Sequence, residues 1–200
     1  MARRIVPEQQ AERRDALLKA TYQVLLAKPY RDVTLEDIAQ RAGFSKGMTV
    51  YYFNTKEEIF LACWDWLIAR ISARLKARVA EAPDPVAAVE AVVDSVFTDV
   101  RDLRAFYTIY LEFLSLGARN PAFGRINTGF YAHCRELNHA IVTEGIRQGL
   151  FRPVDLTEAA EVSRALIDGM SIQVLFAEDP DAFGPYRDHC IRALLSYLRP

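Results

Sequence analysis

Two stretches of the chain carry side chains whose type and spacing fit them for chemistry. In one, Glu136 and His139 stand three apart, so a helix would place both on one face in the Glu-x-x-His spacing of di-iron helical bundles. Such a centre needs a second pair of the same kind. The other histidines, His133 and His189, follow Phe130 and Tyr186 at that spacing, so neither a metal site nor a cofactor is expected. There is also no Gly-rich phosphate loop and no Gly-x-Ser-x-Gly elbow, so no catalytic residue is assigned and an enzyme is the minor reading. The second stretch is residues 34–56, TLEDIAQRAGFSKGMTVYYFNTK. It gathers Thr34, Ser45, Lys46, Gly47, Met48, Thr49, Tyr51, Tyr52 and Lys56, a set able to donate to phosphates and to touch base edges or thymine methyls. That is the chemistry of holding duplex DNA.

Elements of a particular kind must position these groups. Thr34 is placed to cap a helix, with Asp37 three residues on to complete the box and Leu35, Ile38, Ala39 and Ala42 on the buried side. Gly43 then supplies the positive φ of a tight reversal, Phe44 plugs the angle, and Ser45 caps a second helix of about residues 46–53. So short a helix is unstable alone. Packing of Met48 or Thr49, Val50 and Phe53 must hold it, which leaves Ser45, Lys46, Gly47, Tyr51 and Tyr52 on the other face. Gly47 acts by what it lacks, letting the helix start approach a DNA backbone, where its dipole favours phosphate. Lys56 adds a further phosphate contact.

Helical periodicity continues through the rest of the sequence, and no pair of alternating strands joined by a tight turn is present. The class is all-α, with about nine helices: 8–27, the two just described, 55–82, 86–99, 103–118, 121–148, 156–177 and 185–198. Thr55 with Glu58 and Asp155 with Glu158 mark two of the starts, and Pro83-Asp84-Pro85 is the clearest interior break. The helix from Thr55 would reach about 40 Å at about 1.5 Å per residue. Residues 1–54 read as a helix-turn-helix domain and 55–200 as a second domain, with the helix from 55 as a shared connector.

Charge supports that division. Residues 1–56 carry ten Lys and Arg against six Asp and Glu, with Arg3 and Arg4 near the start; residues 57–200 carry fifteen against twenty. A basic head on an acidic body suits a protein that brings one end to a polyanion. Cys63, Cys134 and Cys190 show neither zinc spacing nor a disulfide framework, and no stretch is long and apolar enough to span a membrane. A cytoplasmic protein is expected.

The ordered run of Thr34, Ile38, Ala39, Ala42-Gly43, Ser45, Gly47, Tyr51, Phe53, Lys56 and Glu57 resembles the DNA-binding domain of the TetR family of bacterial regulators. The likeness covers about residues 8–62. It departs at Met48-Thr49-Val50, where the family commonly has Thr-Leu-Tyr, so Tyr51, Tyr52 or Thr49 would replace that tyrosine's phosphate contact. The resemblance implies a homodimeric repressor, released from operator DNA by a small-molecule effector bound among the C-terminal helices. The alternative from outside that class is a helical ligand-binding protein without DNA binding.

Residues 103–137 are rich in rings that suit either an apolar cavity or an ordinary bundle core. Given the resemblance, Trp64, Phe97, Tyr107, Tyr110, Phe113, Phe130, Tyr131, Cys134 and Gln173 are the expected ligand contacts, with Glu112 or His133 adding polarity. The effector is expected to be partly apolar or aromatic. The last two long helices offer Leu166, Ile167, Met170 and Val174, then Ile191, Leu194, Leu195 and Leu198, as a dimer face. A two-fold pair would set its reading helices about 34–36 Å apart, one turn of DNA. Asp168-Gly169 and the Gly-Leu-Phe-Arg-Pro turn at 149–153 resemble the C-terminal domain of regulators of glycine-betaine synthesis.

Overall fold

The computed structural model describes residues 7–177 and 183–200, and Arg3 and Arg4 lie outside them. Among the described residues nine α-helices follow one another: α1 (Pro7–Ala27), α2 (Leu35–Ala42), α3 (Lys46–Tyr52), α4 (Lys56–Ala80), α5 (Pro85–Val96), α6 (Val100–Gly117), α7 (Pro121–Arg147), α8 (Leu156–Leu175) and α9 (Phe183–Leu198). A 3₁₀ turn at Tyr30–Asp32, which periodicity does not reveal, follows α1. Pro29 causes it: the ring ends α1, and the Asp32 N–H then donates to the Pro29 carbonyl at 3.0 Å.

Short polar residues set most of the boundaries. Asp84 caps α5 by accepting the Ala87 N–H at 2.8 Å, with Pro85 in the first turn, and Asp155 caps α8 through the Glu158 N–H at 2.8 Å. Thr55 accepts the Glu58 N–H at 3.1 Å, but the Glu58 carboxylate reaches the Asn54 N–H at 2.9 Å in place of a reciprocal box. Three expected ends move inward by two residues or more, that of α4 to Ala80 from Ala82 among them. Helix α5 stops at Val96 and not Asp99, because Asp99 opens α6 by accepting the Arg101 N–H at 2.7 Å. Helix α8 stops at Leu175, where the expected end was Ala177. Gly149, at φ 72°, ends α7. Gly145 is required for a different reason: a Cβ there would collide with the ring of Phe151.

The chain forms two compact units. The first holds the described residues up to Ala69 together with Leu111–Ile126. Its core joins Leu17, Leu18 and Ile38 to an aromatic cluster in which the Trp64 and Phe113 rings stack 4.5 Å apart and Tyr30 meets Phe60 edge-on at 4.3 Å. The second unit holds Arg70–Tyr110 and Asn127–Pro200, and there α5, α8 and α9 pack together. Ile167, Val174, Ile191, Leu194, Leu195 and Leu198 are buried in it. Six of the eight residues expected on a dimer face are thus spent inside the protomer. A helix seam needs the same apolar spacing whether the partner helix is its own or another chain's. Leu166 and Met170 alone of the eight are only half-buried.

Candidate functional site

The reading face of α3 begins with caps. Thr34 Oγ1 accepts the Asp37 N–H at 3.2 Å while the Asp37 carboxylate accepts the Thr34 N–H at 2.8 Å, the reciprocal box expected of that spacing. Lys28 lies 2.6 Å from the same carboxylate, and its ammonium together with Thr34 holds the Asp37 carboxyl down at about 2. Gly43 sits in the left-handed region at φ 70°, and Ser45 Oγ accepts the Met48 N–H at 3.2 Å to start α3. Sequence and geometry therefore agree on how the turn is made.

At 100° per residue the seven residues of α3 sort into two faces. Thr49 is fully buried, Phe53 just beyond is 2% exposed, and Tyr52 turns its hydroxyl inward, where it has no partner among the described residues. Lys46, Gly47, Val50 and Tyr51 stand open, the last two 40% and 67% exposed. This corrects two expectations. Tyr52, expected on the free face, belongs to the packed one, and Val50, expected to pack, belongs to the free one; Thr49, considered both as packing and as a DNA contact, packs. Thr34 and Ser45 are exposed and Met48 half-buried. In front of Gly47 a Cβ would meet nothing within 4 Å, so the fold itself does not require glycine there.

Lys46 lies 3.2 Å from Glu36, both largely exposed, a pair that water screens to little strength. Lys56 differs. Its ammonium donates to the Tyr30 and Arg31 carbonyls at 2.7 and 3.1 Å and lies 4.4 Å from the centre of the Tyr30 ring. The sequence-based role of phosphate contact thus meets a charge already committed to fastening α4 to the 3₁₀ turn. The Tyr30 N–H in turn donates to Glu112 at 2.8 Å. Expected to add polarity to a ligand pocket, Glu112 instead orders the α1–α2 link.

The nine expected ligand contacts divide between the units. Trp64 and Phe113 belong to the first unit's aromatic core, and Phe97 packs on Phe183 in the second. Tyr110 and Tyr131 share a hydrogen bond at 2.6 Å, Tyr107 donates to Asp168 at 2.9 Å, and Gln173 is exposed. Only Phe130 and Cys134 of the nine line the cavity of about 70 Å³ in the second unit. Its walls are mainly aliphatic, from α4, α5, α7 and α8, with Ser95, Asn138, Ser163 and Arg164 as the polar members besides Cys134. Rings prefer to stack on one another in the core, so the gap is left among branched and unbranched side chains.

Arg164 is the residue that sequence reasoning missed. Its guanidinium pairs with Asp168 one turn along α8, both side chains only 18% exposed, and it lies 5.4 Å from the centre of the Phe130 ring. The signal was available, for opposite charges four apart in the apolar run from Val162 to Leu175 are a costly arrangement unless they meet a purpose. Burial pushes the Cys63 thiol up to about 12 and Cys190 to about 11, and raises Cys134, so all three stay protonated at neutral pH. Glu136 is exposed, and among the described residues no cluster of three or more His, Cys, Asp or Glu could hold a metal. No described helix is long and apolar enough to cross a membrane.

Comparison with known proteins decides the family. Residues 17–63 match the model of bacterial regulatory proteins of the tetR family, and residues 85–199, over half the chain, match that of the BetI-type transcriptional repressor C-terminal domain. The chain belongs to the TetR family. It is a transcription regulator of the repressor type and not an enzyme. The HTH-type transcriptional regulator BetI of Burkholderia cenocepacia is 29% identical over 169 residues, 84% of each chain. The regulator CymR of Pseudomonas putida is 29% identical over 120 residues, 60% of this chain and 58% of its own. Among solved structures, a putative regulator from Saccharomonospora viridis in complex with choline superposes with a TM-score of 0.86 at 23% identity, over 95% of this chain and 99% of its own. That likeness is one of fold.

Proposed function

We propose that the chain is a homodimeric repressor that reads operator DNA with α3 and is released when a small effector occupies the cavity of its second unit. In this reading residues 1–54 carry DNA recognition and 55–200 effector binding and dimerisation, and the protein works in the cytoplasm. The observation that carries it is the open face of α3. Ser45, Lys46, Gly47, Val50 and Tyr51 are held out by a fully capped turn and are not consumed by packing. Lys46 contacts phosphate, Val50 and Tyr51 reach into a major groove about 12 Å wide, and Gly47 keeps the backbone contact close. Thr34 and Met48 flank that face, and Lys56 acts by holding the head's geometry.

Support for an effector comes from the cavity and from the choline bound to the Saccharomonospora viridis relative. The aliphatic walls fit a partly apolar molecule. For dimerisation, Leu166 and Met170 on α8 are the half-buried apolar members of the expected face, the ones not fully spent inside the protomer. Because α4 and α7 each line the cavity and contribute residues to both units, a shift of these helices around a ligand would move the reading heads and change operator affinity.

The test is fluorescence anisotropy on duplex DNA from upstream of the chain's own gene, with light scattering for mass. Nanomolar specific binding by a dimer is the expected result, with affinity falling steeply as salt rises. Lys46→Ala should weaken binding to every sequence and lower the salt slope by about one counterion. A monomer that ignores duplexes at low salt would sink the proposal, and an unchanged slope would remove Lys46 from the phosphate contacts.

A further inference from the structure

A buried guanidinium that is only partly satisfied, in the wall of an otherwise aliphatic cavity, asks for an anion. Arginine has five N–H donors in a planar fork. On Arg164, Nε and Nη2 donate to the two oxygens of Asp168, and Nη2 also reaches the Tyr107 hydroxyl at 3.3 Å. The Cys134 thiol, a weak acceptor, is a further hydrogen-bond partner of the guanidinium, so the five donors are met by few strong acceptors. Asp168 is not part of the cavity wall, whereas Arg164 is. Asp168 therefore neutralises the guanidinium from outside the wall, while the Arg164 side chain itself lines the space a ligand would fill.

A second polar group in the same wall is incomplete. The Asn138 amide donates from Nδ2 to Ser163 Oγ at 3.0 Å, and its Oδ1 is buried without a partner among the described residues. Turned about, the amide would accept from the Ser163 hydroxyl and present its NH₂ to the cavity. Either way the amide has bonding capacity left over, and a buried polar atom without a partner is costly. The cavity is also small, about 70 Å³ against the roughly 300–1,000 Å³ usual for small-molecule sites.

We propose that the effector is a small monocarboxylate with a short aliphatic tail, its carboxylate held by Arg164 and Asn138 and its tail among Leu75, Val92, Val96 and Leu137. This rests on reading the second unit as the effector domain. A quaternary ammonium such as choline does not fit the same place. The aromatic ring in the wall, that of Phe130, already has the Arg164 guanidinium 5.4 Å from its centre, so it is not free to hold a quaternary ammonium.

The experiment measures thermal shift and calorimetric binding for the full chain with acetate, propionate and butyrate, against butyramide, choline and sodium chloride at equal ionic strength. At about 10 mM, where a millimolar site is mostly filled, the carboxylates should raise Tm and the controls should not. Arg164→Met alone would strand Asp168, so it is paired with Asp168→Asn, and the double variant should lose about tenfold or more in carboxylate affinity. Ala160→Leu, which fills the cavity and leaves the ion pair intact, should lose binding equally. Equal shifts with butyramide or choline, full carboxylate affinity in either variant, or no carboxylate binding would each overturn the proposal. Operator binding on the same samples separates the two readings. Carboxylate binding with unchanged operator affinity defeats the effector role but not the ligand class; operator release by choline alone defeats the ligand class but not the effector role.

Discussion

The reading head and the Arg164 cluster both depend on polar side chains, yet they are secured in opposite ways. In the head each polar contact that shapes the turn spans three or four residues: Thr34 with Asp37, Ser45 with Met48, Gly43 closing onto Ala39 and Gln40. In the second unit the Arg164–Asp168 pair is local, but the partners that fix it and its surroundings come from far apart in sequence, Tyr107 with Asp168, Tyr110 with Tyr131 and Asn138 with Ser163. The head presents its working groups to water; the cluster hides them. A surface proposed to meet an outside polyanion can be built from local rules, but the internal site proposed to hold a small molecule needs helices brought together first.

Breaking the packing beneath the head should have the largest effect. Phe113 is 1% exposed against Trp64, Phe60 and Phe123, and Phe113→Ala should cost about 3–5 kcal/mol of unfolding free energy in urea titration. A loss below 1 kcal/mol would mean that the aromatic cluster is not what supports the first unit. Next comes Arg164→Met, which strands the Asp168 carboxylate in partial burial. A loss of about 2–3 kcal/mol is expected, less than for a fully buried pair because both side chains keep 18% of their surface, and adding Asp168→Asn should recover most of it. If the single variant is as stable as the parent, the pair is held as on an open surface, and the contrast between the two regions weakens.

Gly47→Ala separates reading from folding. No atom of the protein lies near the added Cβ, and alanine is the better helix former, so stability should stay level or rise by about 0.5–1 kcal/mol. Operator affinity measured by anisotropy should nevertheless fall severalfold. Unchanged affinity would show that the α3 backbone stands clear of DNA. The smallest effect concerns acid. Lys28 and Thr34 lower the Asp37 carboxyl from 3.8 to about 2, so its contribution is fully present above about pH 4 and is lost as pH falls toward 2. Asp37→Asn should therefore separate from the parent at neutral pH and converge with it near pH 2 in melts followed by circular dichroism. A constant gap down to pH 2 would show that the carboxylate's charge contributes nothing.

How much was legible follows the same division. Capping at Thr34, Ser45 and Asp155, the stop at Gly149 and the break at Pro83-Asp84-Pro85 were readable because each is a contact within a few residues. The two faces of α3 were only half readable. Thr49, Val50 and Tyr52 are all compatible with either side of so short a helix, and what packs against it decides. The dimer face was over-read at Ile167 and Leu194, since apolar spacing reveals that a helix has a partner but not whose.

By itself the sequence determined the all-α class, the order of the helices, the capped turn before α3 and the family, for all of these rest on spacing along the chain and on backbone preferences that act over a few residues. Tertiary structure decided where Arg164 and Asp168 sit, which rings join the core, and that the cavity wall is aliphatic. Those outcomes depend on which helix faces which, and burial of apolar area rewards many pairings almost equally until the whole chain has chosen among them.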